Sequence, residues 1–301
     1  MITAMANGLG VDSTAMMAVM LYPAEAAALL DKTEAEVTAA IGKVDVVVTA
    51  DTGGEFPDFY ENAATTRKTL AAAAIPYVTV RKDGGAFGAE TLPDMMMRLG
   101  SVPLTPGSSH TCSIKYKTTP MRKWATKTYP GETITWLIGI EANETHRKRF
   151  KSDDTETHFS KYPLIELDLT RADCEMLVRH FWPIPVRKSS CYFCPFMSEP
   201  EIKEMIADYP DLWAKAKAME ANYKATSPVK HKAWIDAGKP LTKGKKKRAP
   251  AGMWREDSWA KGGRLFAKAI DGKRLTVEEW EARFAEEPAK DLFDFNYKEA
   301  A

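Results

Sequence analysis

Apolar residues in this chain gather alternately into short continuous runs and into stripes spaced for one face of a helix. Ile2 to Ala6 is a short apolar run that predicts a strand, and from Asp12 onward Ala15, Met16, Val19, Met20 and Leu21 fall on one helical face. Val44 to Ala50, interrupted only by Asp45 and Thr49, predicts a strand buried on both sides in a parallel sheet. A helix is expected over Pro57 to Ala74 and a third strand over Ile75 to Val80. This order of strand, loop and helix is the signature of βαβ units. Residues 82–109, rich in Gly, Pro and Ser with Met95 to Met97 in their midst, read as a loop with a short helix and a candidate lid. Ser113 to Thr128 reads as a helix, Thr133 to Ile140 as a strand, Glu141 to Lys161 as a polar stretch and Leu164 to Leu167 as a strand. Thr170 is an N-cap candidate for the next helix, Ser189 to Pro195 is a loop with two cysteines, and Pro200 to Tyr223 is helical. Beyond about residue 225 no strand pattern is visible; a helix is expected at Thr276 to Ala285. The expectation is an α/β fold, a Rossmann-like parallel sheet flanked by helices, with a mostly helical C-terminal extension. Residues 1–199 would form the α/β domain and residues 200–301 the helical, partly basic region.

Composition narrows the function classes. The 301 residues are 45% hydrophobic and 28% charged, enough for a sizeable core, and the net charge of +1 points to neither a nucleic-acid binder nor a membrane-surface protein. No apolar run approaches the roughly 20 residues needed to cross a bilayer. The segment Met1 to Met5 lacks the basic region and long apolar core of a secretory signal, so a cytoplasmic location is expected. Four cysteines in such a chain suggest metal binding or redox chemistry rather than a disulfide framework.

Gly8-Leu9-Gly10-Val11-Asp12-Ser13-Thr14 lies between the first strand and the first helix. Glycines let backbone approach a phosphate, and a helix N-terminus favours an anion. A plain strand-to-helix turn capped by Asp12 or Ser13 is the other reading. Asp51 and Glu55, at the end of the second strand, suit a ribose hydroxyl or Mg²⁺, or else an ordinary turn and helix start. Cys191 and Cys194 form a C-x-x-C-P segment that can hold a metal or part of an iron–sulfur cluster. Cys174, between Ala172 and Met176 in a helix, reads as a packed apolar residue. The basic run Lys243 to Arg248, with Trp254, Trp259 and Phe266 nearby, suits phosphate contacts and base stacking on DNA or RNA, or else a solvated loop beside a small core.

Four segments in order resemble the N-type ATP pyrophosphatase and phosphoadenosine-phosphosulfate (PAPS) reductase superfamily. The first glycine loop resembles its S-G-G-x-D-S-T loop, and Asp51-Thr52-Gly53-Gly54-Glu55-Phe56-Pro57 its D-T-G-x-E-x-P motif. Cys112-Ser113-Ile114-Lys115-Tyr116-Lys117 with Pro120 resembles its cysteine-plus-basic segment, and Gly139 to Glu144 with Arg147 its G-I-R-x-x-E-S-x-R segment. Together they span residues 2 to about 197, roughly two thirds of the chain, and imply that residues 1–199 are a nucleotide-binding domain. Gly8, Leu9 and Val11 depart from the family's usual Ser, Gly and lysine. The resemblance implies binding of ATP or a related adenine nucleotide through Gly8, Gly10, Asp12, Ser13, Thr14, Asp51, Thr52 and Gly139, with Mg²⁺. It implies catalytic roles for Asp12, Lys115 and Arg147. It further implies a 4Fe–4S cluster on Cys112, Cys191 and Cys194, with zinc (His110 as a fourth ligand) or free thiols as the alternatives. Its reductase members carry a C-terminal E-C-G-I/L-H segment, and no cysteine follows Cys194. The implied activity is therefore ATP-dependent adenylation coupled to sulfur transfer, with nucleic acid as a candidate substrate and a sulfur donor protein as a candidate partner. Sulfonucleotide reduction with a thiol supplied in trans, and a non-catalytic nucleotide-binding module, are the alternatives.

Overall fold

A computed structural model describes residues 1–82, 90–103, 111–149, 154–238 and 264–285. These fall into two compact units, Met1–Thr91 with His110–Ser190, and Leu92–Ser109 with Cys191–Ala301. Among the described residues no helix is long and apolar enough to cross a membrane.

The first unit is built on a five-stranded parallel sheet. Its strands are β1 (Ile2–Ala6), β2 (Val46–Ala50), β3 (Tyr77–Val80), β4 (Ile134–Ile138) and β5 (His158–Lys161), in the order β3-β2-β1-β4-β5. Ala4 of the central β1 pairs with Val46 on one side and Trp136 on the other. Every residue of β2 is buried, as its unbroken apolar run demands. Alternate residues of a strand point to opposite faces, so each face needs its own cover. Met5, Val47 and Leu137 meet helices α1 (Val11–Leu21), α3 (Glu34–Ile41) and α8 (Arg171–Phe181) through Met16, Val19, Val37, Ile41, Cys174 and Leu177. Ala4, Val46, Val48 and Trp136 are covered on the other face by Met121 and Ala125 of α6 (Thr119–Thr128). Between α1 and α3 lies the short α2 (Pro23–Leu29), and α4 (Pro57–Ala72) joins β2 to β3. Residues 22–43 carry no element in the sequence reading, although Thr33 and Glu36 form a capping box that starts α3.

The structure corrects the fifth strand. Leu164 to Leu167 is not a strand: α7 (Pro163–Glu166) begins with Pro163 at its first turn and ends at Leu167. Leu164 and Leu167 are three residues apart, which is helical spacing, and both enter the core. The strand is His158–Lys161, inside the stretch read as polar. Among the described residues it pairs with β4 alone and leaves Phe159 exposed, so an apolar run is not required of it.

The second unit contains α5 (Leu92–Leu99), α9 (Glu199–Asp208), α10 (Pro210–Asp236), the hairpin strands β6 (Ala269–Ile270) and β7 (Lys273–Arg274), and α11 (Val277–Ala285). The single helix expected over Pro200 to Tyr223 is two. Pro210 forces the preceding Tyr209 out of helical geometry (φ −130°, ψ 58°), and the second helix runs on to Asp236. The hairpin corrects the absence of strands expected beyond residue 225. Its turn is Asp271-Gly272 with φ of 48° and 76°, the left-handed pair that a two-residue hairpin turn needs. The short helix expected within 82–109 is α5. Asn222 of α10 donates to Met97 O at 2.6 Å and Lys230 donates to Leu99 O, which satisfies carbonyls at the end of α5. Glu220 is buried, and its carboxylate accepts from Leu265 N at 2.8 Å and Val277 N at 3.0 Å, tying residues 264–285 to α10. Burial pushes its pKa up against those two hydrogen bonds. Trp213 stacks on Phe266 with ring centroids 6.1 Å apart beside the same junction.

His158 ties the edge strand to the layer that covers it. Trp136 Nε1 donates to His158 Nδ1 at 3.0 Å, which leaves Nε2 as the N–H facing Thr126 Oγ1 at 3.1 Å. Burial first, and the charge of Arg122 second, hold the imidazole pKa below its ordinary 6.5. The folded state therefore binds fewer protons than the unfolded state across this range. Its stabilisation is complete above about 6.5 and is lost as pH falls through the lower folded value. Thermal melts between pH 7 and pH 5 should show a falling midpoint in the wild-type protein, and a shallower fall in His158→Gln.

Candidate functional site

The sheet reverses its strand order at β1. The chain leaves β1 toward β2 on one side and later returns to β4 on the other, so the carboxyl ends of β1 and β4 flank a topological switch point. The turn Asn7 to Gly10 stands there. Leu9 adopts φ of 58°, a left-handed conformation that costs a residue with a side chain roughly 1–2 kcal/mol. Hydrogen bonds on both sides hold it. Asn7 Oδ1 accepts from Leu9 N at 2.8 Å, and Asn62 Nδ2 of α4 donates to Leu9 O at 3.0 Å. Trp182 Nε1 in turn donates to Asn62 Oδ1 at 2.8 Å. The Leu9 side chain is buried, facing a small cavity also lined by Phe56, Phe59, Asn62 and Val186.

Gly10 is the N-cap of α1 and offers no side-chain acceptor. Thr14 N bonds to Gly10 O at 3.0 Å, whereas Val11 N and Ser13 N find no backbone acceptor among the described residues. This is the unfilled N-terminal donor set of a helix, with its partial positive charge. The glycines set how closely other backbone approaches. A Cβ on Gly10 would lie 3.1 Å from Ser189 N, and one on Gly139, at the end of β4, would lie 3.0 Å from Ser13 N. Gly8 is exposed, and a Cβ there would come no closer than ordinary contact with Ser13 Oγ, 3.9 Å away.

The expected nucleotide-binding residues Gly8, Gly10, Asp12, Ser13, Thr14 and Gly139 are thus brought together, but they are not equivalent. Ser13 turns its hydroxyl back onto Gly10 O at 3.1 Å. Thr14 is fully buried and its hydroxyl has no partner among the described residues. Asp12 is engaged by Arg171, the first residue of α8, through contacts of 2.7 Å and 3.0 Å. That bidentate pair makes Asp12 a tie between α1 and α8.

Asp51, Thr52 and Glu55 stand at the end of the neighbouring β2, where a ring of contacts closes on itself. Arg81 Nη2 lies 2.6 Å from Asp51 Oδ2, and Gly53 N donates to Asp51 Oδ1 at 2.7 Å. Thr52 Oγ1 donates to Glu55 Oε1 at 2.9 Å, and Lys117 Nζ lies 3.7 Å from the same oxygen. Lys82 Nζ donates to Tyr116 OH at 3.1 Å, and Arg81 and Lys82 are sequence neighbours. The circuit links β2, β3 and the π-helical segment Ile114–Thr118 that precedes α6. Tyr60, whose hydroxyl reaches Asp51 at 3.4 Å, has its pKa pushed up to about 12 by burial and then by the charges of Asp51 and Glu55. Lys115 is exposed on the π-helical segment. Arg147 falls in the short 3₁₀ segment Ala142–Arg149, and its side chain lies outside the described residues.

Cys191 and Cys194 form a tight turn in the second unit, closed by Cys194 N donating to Cys191 O at 2.9 Å, and both are partly buried. Such a two-thiol turn has the donor chemistry of a zinc or iron–sulfur site. Cys112 belongs to the first unit. Among the described residues no group of three His, Cys, Asp and Glu side chains is gathered to hold a metal ion. His110 and the basic run at 243–248 lie outside the described residues. Cys174 is buried, and desolvation pushes its thiol pKa far up, which keeps it in the inert protonated form.

Sequence reading missed Asn62, Trp182, Arg171 and Arg81. One signal was present. The buried face of α4 runs Phe59, Asn62, Thr66 and Leu70, with an asparagine where packing alone selects an apolar side chain. No protein-family model matches the chain, and no curated protein matches it.

The close approach of Gly139 to α1 yields a direct test. Gly139→Ala should push on the Asp12–Ser13 backbone and lower stability by about 1–3 kcal/mol, measured by denaturant unfolding. An unchanged midpoint would mean that β4 and α1 are not in this contact.

Proposed function

We propose that the first unit binds the phosphates of an adenine nucleotide at the N-terminus of α1, and that the protein is an enzyme of the PAPS reductase-like kind. The single observation that carries this reading is the uncapped helix N-terminus at the switch point, fronted by exposed Gly8 and approached closely by Gly10 and Gly139. Backbone N–H groups and the helix dipole there favour a phosphate. The four-segment resemblance supplies the adenine nucleotide, ATP or a relative.

In the reaction proposed, a substrate oxygen attacks the α-phosphorus of ATP. A new oxygen–phosphorus bond forms, the bond to pyrophosphate breaks, and pyrophosphate leaves. A sulfur nucleophile then attacks the substrate atom that bears the adenylated oxygen: a bond to sulfur forms, the bond to that oxygen breaks, and AMP leaves carrying the oxygen. Val11 stands where several pyrophosphatase branches of the family the chain resembles carry a lysine, so other cations must balance the developing charge. Lys117 is turned to Glu55, which leaves exposed Lys115, with Arg147, as the candidates. Asp12 acts through Arg171 by fixing the first turn of α1. Mg²⁺, when bound, would neutralise phosphate charge, and Asp51 and Glu55 are the nearby acids. Cys191 and Cys194, with Cys112 as the third thiolate implied by the resemblance, would hold a cluster or zinc; a cluster would supply sulfur or be structural. DNA or RNA is the substrate class proposed, with a sulfur donor protein as partner.

Gly8 allows a clean test because, among the described residues, a Cβ there comes within 4 Å of Ser13 Oγ alone, at 3.9 Å. Gly8→Asp should leave the melting midpoint unchanged, since an acid near a helix N-terminus is favourable. The same carboxylate should repel phosphate and weaken ATP binding by at least ~tenfold, or ~1.4 kcal/mol, in calorimetric titration with Mg²⁺. Gly8→Ala should bind as the wild type does. Absence of ATP binding in the wild type, or equal binding by Gly8→Asp, would overturn the reading. Anaerobically purified protein should carry iron and sulfide that Cys191→Ser loses; zinc alone would make the turn structural.

A further inference from the structure

We propose that Asn62 is a positioning residue for the turn at the end of β1, setting the peptide that presents its N–H to a phosphate; its ligand rests on the nucleotide reading above. Asn62 is buried in the interior of α4 and spans two elements with one amide. Nδ2 donates to Leu9 O at 3.0 Å and Oδ1 accepts from Trp182 Nε1 at 2.8 Å. The indole is a donor only, so it fixes which end of the amide faces it. The NH₂ end is thereby committed to Leu9. In a trans peptide the C=O and the following N–H point in opposite directions. Holding Leu9 O toward α4 therefore directs Gly10 N–H away from α4.

The need for such a residue follows from Leu9 itself. A left-handed conformation in a residue with a side chain persists only when its surroundings enforce it. Asn7 Oδ1 secures the N–H of Leu9 and Asn62 secures its C=O. Without Asn62 the peptide between Leu9 and the flexible Gly10 is free to rotate. A carbonyl oxygen would then face the position meant for an anion, where a donor is required. Trp182, at the C-terminal cap of α8, acts one step further out by orienting the amide. The same helix holds the first turn of α1 through Arg171 and Asp12. The turn is thus set by α4 and α8 rather than by the glycine loop alone.

The test compares the full chain with Asn62→Leu and Trp182→Phe. Hydrogen–deuterium exchange follows residues 8–13. Calorimetry measures ATP, inorganic triphosphate and adenosine. The expected result is faster exchange in residues 8–13 of both variants, with β1 and β2 as protected as before. Affinity for ATP and triphosphate should fall ~tenfold in Asn62→Leu and by less in Trp182→Phe, while adenosine, which has no phosphate, changes less than ~twofold. Unchanged exchange and phosphate affinity in Asn62→Leu would overturn the proposal. So would equal losses for all three ligands with a global fall in melting temperature, the mark of a merely structural residue. Should the wild type take up neither ATP nor triphosphate, the nucleotide reading falls, and the exchange measurement decides by itself whether Asn62 sets the turn.

Discussion

The carboxyl edge of the sheet is organised by one constraint: the end of β4 and the start of α1 must lie closer than side chains allow. Gly139 meets the Asp12–Ser13 backbone and Gly10 meets Ser189, each at a distance where a Cβ would touch a backbone nitrogen. Beside that approach, Leu9 takes the left-handed conformation at the end of β1. Asn7 and Asn62 hold that conformation from either side, and Trp182 orients the Asn62 amide. Among the described residues no side chain caps the start of α1, so the anion site proposed there would rest on backbone N–H groups.

The neighbouring ring of Asp51, Arg81, Lys82, Tyr116, Lys117, Glu55 and Thr52 works differently. Here charge does the fastening. Glu55 has a fully buried side chain with Lys117 near one oxygen, and Asp51 is buried under Arg81. Removing one partner would strand a desolvated charge, so such pairs resist piecemeal change even where their net contribution is modest. Their effect is to tie the π-helical segment to β2 and β3, fixing which lysine of that segment faces inward and which, Lys115, faces out.

Much of the sheet was legible because its strands read as short apolar runs; β2, buried throughout, is the clearest case. β5 was not legible, since an edge strand with an exposed Phe159 and a hydrogen-bonded His158 carries no such run. Leu164 and Leu167 misled because a short apolar group does not declare its period. The Asp271-Gly272 hairpin was legible and overlooked. At the site, local glycine chemistry was visible, but its supports were not. Asn62, Trp182 and Arg171 act across 53, 120 and 159 residues, distances over which a single sequence reports nothing. The reading of Asp12 as catalytic likewise had no means of anticipating Arg171.

Glu220 shows how narrow a position can become once burial and hydrogen bonding agree. Both of its partners, Leu265 N and Val277 N, are donors, so the side chain must accept twice and offer nothing in return. Glutamine would aim an NH₂ at one of them, and aspartate is one methylene short. Neither substitute keeps both bonds. The segment it fastens, 264–285, inherits that restriction without containing the residue that imposes it.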